Sequence, residues 1–128
     1  MKLLLKAILS LVIIFIIIGA GGFIYLTRGL NTVGKEEIKA VNLAVIEDGI
    51  YTGAYDGGRW SNELKVTVTN HRITKIDIVK DVTISIPEVT KVLFNRVIAE
   101  QNTTVDAVSE ATVTSKAYLK AIEDALNK

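Results

Sequence analysis

From Leu3 to Leu26 the only charged residue is Lys6, and Ile13 to Ile18 contains no polar position at all. A helix rises about 1.5 Å per residue, so about 20 apolar residues cross a hydrocarbon layer about 30 Å thick. A helix in a soluble core keeps a polar face, and this stretch has none. The pattern predicts one transmembrane helix over residues 1–27. A cleaved signal peptide is the alternative, because Gly19-Ala20-Gly21-Gly22 imitates a small-residue cleavage site. The apolar run nevertheless continues through Phe23, Ile24, Tyr25 and Leu26, longer than a signal peptide requires.

The pattern changes after Arg28. Gly29, Asn31, Gly34 and mixed charges read as a linker over residues 28–42, ahead of one domain over 43–128. Glu47-Asp48-Gly49 is a turn signal, followed by a short strand from Ile50 to Tyr55 and a second turn at Asp56-Gly57-Gly58. Leu64, Val66 and Val68 alternate with Lys65, Thr67 and Thr69, the period of a half-buried strand. Asn70-His71 closes a hairpin, and the return strand runs from Arg72 to Lys80 with Ile76 and Ile78 inward. Helical spacing then takes over. Val89, Val92, Leu93, Val97 and Ile98 form a stripe, with Ser85 and Glu88 at capping-box spacing and Pro87 in the first turn. That helix should end near Asn102. A second helix is predicted over Ser115–Leu126, burying Ala117, Tyr118, Ala121, Ile122 and Leu126. Strands followed by helices imply an α+β domain, a small antiparallel sheet with helices packed on one face.

Charge narrows the partners. The first 40 residues hold five of the 15 basic and two of the 14 acidic side chains, so the remainder carries a net charge of −2. That gives no footprint for nucleic acid. The basic start at Lys2 and Lys6 favours a cytoplasmic N-terminus and a domain on the extracytoplasmic side. There is no cysteine and only one histidine, His71, and carboxylates do not cluster, so a metal site is not expected.

Candidate chemistry concentrates in one loop. Ser109, Thr112, Thr114 and Ser115 place four hydroxyls within seven residues, where the second helix begins. The first N–H groups of a helix lack internal partners and carry partial positive charge, so phosphate binds well there. Lys116 adds a cation. Plain capping by Thr114 or Ser115 is the simpler reading of the same residues.

Asp106-Ala-Val-Ser-Glu-Ala-Thr112-Val-Thr-Ser115 resembles the Asp-x-x-Ser/Thr-Gly-Ala-Thr-x-Thr/Ser motif of the FMN-binding domain family. That domain occurs in flavin-bearing subunits of sodium-pumping NADH:quinone reductase and Rnf complexes, and in small membrane-anchored proteins. Asp48 to Gly53 is similar to the family's opening strand, Lys65 to Ile78 to its hairpin, and Val92 to Gln101 to the helix before the motif. The resemblance implies FMN as cofactor, attached through a phosphoester to Thr112 by a flavin transferase that uses FAD. Asp106, Ser109 and Ala111 keep the family's residue types, and Thr114, Ser115 and Lys116 would support the phosphate. Glu110 stands where the family usually has glycine. It brings a backbone cost and a carboxylate close to the phosphate.

Among the aromatics, Trp60, Tyr51, Tyr55 and Tyr118 suit stacking on a flavin ring or ordinary packing; Tyr118, at helical spacing with Ile122, reads as core. Trp60 follows a glycine turn, which leaves room for exposure to a ligand. Ser109 or Thr112 as a hydrolytic nucleophile would need a nearby base, and only Lys116 is close in sequence. No catalytic residue is assigned. The expectation is a membrane-anchored electron carrier with membrane or extracellular redox partners, touching lipid through its anchor. A noncovalent flavin binder, or an interaction module on the same fold without flavin, is the alternative that Glu110 favours.

Overall fold

A computed structural model describes residues 1–127. The first element, α1 (Lys2–Thr27), has no buried residue and is about 39 Å long at helical rise. Among the described residues it is the one helix long and apolar enough to cross a membrane. A short helix α2 (Leu30–Lys35) and a 3-10 turn (Leu43–Val45) lead into strand β1 (Gly49–Tyr55). A second 3-10 turn (Gly58–Trp60) precedes β2 (Asn62–Thr69) and β3 (Arg72–Lys80), and the chain ends with α3 (Pro87–Glu100) and α4 (Thr112–Leu126). The sheet is antiparallel in the order β1-β2-β3. The α+β architecture is the one the periodicities predict.

Alternation along β2 sends Asn62, Leu64, Val66 and Val68 into the core and turns Lys65 and Thr69 outward. The hairpin turn has both central residues at positive φ, Asn70 at 52° and His71 at 59°. This is the geometry that matches strand twist in two-residue hairpins, and Asn is among the residues that tolerate it. The His71 Nδ1 donates towards the Ile46 carbonyl at 2.8 Å, docking the turn on the segment before β1. On β3, Ile73 and Ile76 are three residues apart yet pair with Val68 and Val66. A bulge opposite Thr67 and Val68 changes the phase, so both isoleucines reach the same face.

Helix α4 lies on β1 and β2. Ala117, Ala121 and Ala125, four residues apart, form a flat buried stripe. Gly53 of β1 sits against it: a Cβ there would lie 2.0 Å from the Ala121 carbonyl oxygen and 2.5 Å from the Ala125 nitrogen. Tyr118 is fully buried, meets Phe94 of α3 edge to face at 5.6 Å, and donates its hydroxyl proton to Asp81.

Several local expectations change. Helix α3 buries Leu93, Phe94 and Val97, while Val92 is 41% exposed, so the stripe is rotated from the expected one. The Ser85–Glu88 capping box does not form: Ile86 is the N-cap and no side chain bonds there, although Pro87 does start the helix. Helix α3 stops at Gln101, which takes the left-handed conformation. Its side-chain amide then pairs with the backbone of Ile73, accepting at 2.7 Å and donating at 2.9 Å, which satisfies the edge of β3. Residues 28–42, expected as a linker, are folded onto the domain. Val33 and Val41 are buried, and the Lys39 N–H donates to Glu123 at 2.9 Å.

Gly53→Ala should destabilise the domain by about 3 kcal/mol or more, measured by denaturant unfolding, because backbone must move to admit the methyl group. Burial, reinforced by the bond to Asp81, raises the Tyr118 pKa above its ordinary 10.0. The folded state therefore holds this proton more tightly than the unfolded chain. Its contribution is complete below pH 10 and is lost as pH rises through the folded value. Tyr118→Phe should cost about 1 kcal/mol at neutral pH and give a shallower alkaline fall in Tm.

Candidate functional site

The loop between α3 and α4 ends in a tight turn. The Ala111 N–H donates to the Val108 carbonyl at 3.0 Å, which places Ser109 and Glu110 in the two central positions. Glu110 has φ 65°. A positive φ at the third position of such a turn favours glycine, and a side chain there costs about 1 kcal/mol. This is a conformational reason for glycine in the motif that the loop resembles. Glu110 takes this conformation while exposed at the surface.

Helix α4 starts three residues earlier than expected, because the Ser115 N–H already donates to Ala111 at 2.8 Å. Thr112 is thus the first helical residue, and no side chain caps the end. The leading N–H groups have no intrahelical acceptor and point out of the helix. Thr112 is exposed beside them. Ser115 is neither a cap nor a surface hydroxyl: it is fully buried and its Oγ accepts from the Val108 N–H at 3.1 Å, tying the turn to the helix.

Next to this helix end lies a cleft of about 440 Å³, within the range of small-ligand sites. Glu110, Ala111, Thr112 and Thr114 line it from the loop and helix, and Arg59 and Trp60 from the second 3-10 turn. Leu30, Ile84, Ile86 and Val113 supply its apolar border. The Arg59 guanidinium stacks over the Trp60 ring at 4.1 Å, and its Nε is buried without a hydrogen-bond partner. A cation in that state is suited to an anionic ligand.

The structure thus brings four of the expected site residues to the cleft: Glu110, Ala111, Thr112 and Thr114. Ser109 sits in the turn with its side chain exposed. Asp106 contributes its carbonyl, which accepts from Arg96 at 3.0 Å. Lys116 turns away, donating to the Gly34 carbonyl at 2.7 Å. Trp60 is 4% exposed, yet it borders the cleft. Tyr51 and Tyr55 are engaged elsewhere, with Glu47 and Glu36. The cation at the cleft is Arg59, which sequence reasoning did not single out. Its only signal was a place beside Trp60 after two glycines.

The model of the FMN-binding domain family matches residues 58–127, more than half of the chain, and the protein belongs to that family. FMN is its cofactor. The chain is also 29% identical over 116 residues to an uncharacterized protein of Treponema pallidum (strain Nichols). That similarity covers 88% of this chain and 32% of the relative, so the chain spans about a third of the relative's length.

The residues at the cleft fit the cofactor. An uncapped helix end, an exposed threonine and a guanidinium whose Nε has no partner suit its phosphate, and the exposed Ile84 and Ile86 suit its ring. Glu110→Gly should raise stability by about 1 kcal/mol by removing the positive-φ cost, measured as a shift in unfolding midpoint.

Proposed function

We propose that this protein is a membrane-anchored electron carrier whose FMN is attached by a phosphoester to Thr112. The observation that carries the reading is the place of Thr112, exposed as the first residue of an uncapped helix and on the wall of a cleft that also holds Arg59 and Trp60. Bound FMN supplies one- or two-electron chemistry. The chain supplies position: Thr112 the attachment, the α4 N–H groups and Arg59 the charge complement, and Ile84, Ile86 and Val113 the exclusion of water.

Attachment is a group transfer by a separate flavin transferase with FAD as donor. The Thr112 Oγ bonds to the phosphorus on the flavin side, the phosphoanhydride bond breaks, AMP leaves, and the hydroxyl proton is released. Glu110 opposes this step weakly. Its side chain is exposed, so repulsion is near the aqueous scale of about 1 kcal/mol for unit charges about 4 Å apart. In this reading α1 stays uncleaved and the domain faces the extracytoplasmic side. Its partners are membrane or extracellular redox proteins, and it is not an independent enzyme.

A second reading has a specific observation in its favour: Glu110 replaces the usual glycine, which suits a noncovalent binder or an interaction module without flavin. Co-expression with a flavin transferase and intact-mass measurement separates the cases. The expected result is an FMN phosphoester mass increment that survives denaturation and is lost in Thr112→Ala, with unfolding otherwise little changed. Flavin released on denaturation would replace covalent attachment by simple binding, and a colourless protein would remove the carrier reading.

A further inference from the structure

Three side chains on the border of the cleft are exposed and apolar: Leu30 at 40%, Ile84 at 53% and Ile86 at 47%. Leu30 is three residues beyond the end of α1 at Thr27. The end of α1 is also held against the cleft by its backbone. Gly29 has φ +87°, and a Cβ there would lie 2.6 Å from the Gly57 carbonyl oxygen. Gly58 has φ +64°, and a Cβ there would lie 2.8 Å from the Arg28 carbonyl oxygen. The chain therefore leaves its apolar helix directly against the turn that carries Arg59 and Trp60. The following segment is fixed as well, with Val33 buried and the Gly34 carbonyl bound by Lys116.

We propose that the mouth of the flavin cleft, with Leu30, Ile84 and Ile86 as its rim, seats in the headgroup region of the bilayer that α1 spans. This rests on the reading of α1 as an uncleaved anchor and of the cleft as the FMN site. The occupant is lipid because the rim continues the surface of α1, which is apolar and has no buried residue. Charge agrees: Arg28 is exposed at the exit of α1 and Arg59 lines the cleft, against one carboxylate there, Glu110. Guanidinium groups beside an apolar edge suit a phosphate-rich interface. A flavin ring in this cleft opens on the membrane surface and meets partners confined to the membrane before those in bulk water.

The single tryptophan of the chain, Trp60, lines the cleft and reports its surroundings. The test uses the full chain made without a flavin transferase, in phosphatidylcholine–phosphatidylglycerol vesicles containing lipid with a nitroxide near the headgroup. Trp60 fluorescence should be quenched strongly by the labelled lipid and weakly by aqueous iodide. Ile84→Asp with Ile86→Asp should at least halve the lipid quenching. Val45 and Ile50, also exposed, lie on a different cleft at the other end of α4, so Val45→Asp with Ile50→Asp should leave it unchanged. Iodide quenching without lipid quenching, no response to the Ile84 and Ile86 changes, or failure of the protein to float with the vesicles would each overturn the proposal. Flavin loading is scored separately by mass, so lipid quenching in a chain that never accepts FMN supports the docking while removing the carrier reading.

Discussion

The contact between α4 and the backbone of β1 at Gly53 is the constraint from which the domain is built. Helix and strand approach so closely that no methyl group fits between them. The alanines at 117, 121 and 125 make the helix face flat enough for this approach, and Tyr118, Leu119 and Ile122 fill the space on either side. Because the helix is seated at its C-terminal half, its N-terminal end is carried to a definite place beside the turn at residues 58–60. The cleft exists because those two ends meet.

That arrangement divides the hydroxyls of the loop by role. Ser115 is drawn inside and holds the preceding turn through the Val108 N–H, while Thr112 is left at the surface with the open helix end. A hydroxyl that satisfies a backbone donor in the interior gives order, and one left exposed is available for chemistry. The turn itself fixes the backbone of residue 110 at positive φ, and Glu110 takes that conformation at a cost. Its carboxylate stays at the surface on the wall of the cleft.

The segment after α1 is part of the same framework. Glu123 is nearly buried on α4, where it pairs with Lys120 and accepts from the Lys39 N–H. Thr103 donates to the Lys39 carbonyl at 2.7 Å, so both backbone groups of Lys39 are held. Glycine and mixed charge over residues 28–42 read as a linker because a local pattern cannot show where a backbone finds its partners. The buried Val33 and Val41 were the available signal, and isolated valines say little without a face to pack on.

The amino-acid sequence by itself determined the apolar N-terminal helix, the hairpin, the presence of both later helices and the family motif. Each depends on neighbours within a few residues: an unbroken apolar run, a two-residue alternation, an Asn at a positive-φ turn, a stripe at helical spacing. The tertiary structure alone decided which groups share a cleft. Arg59 lies 53 positions before Thr112 and Ile84 lies 28 before it, and nothing local relates them. It also set the phase of α3 and the start of α4, because a helix turns its face towards whatever sheet it meets and begins where a carbonyl is free to accept. Lys116 illustrates the limit: its spacing suited a phosphate, but the carbonyl of Gly34, brought alongside by the fold, is the partner it finds.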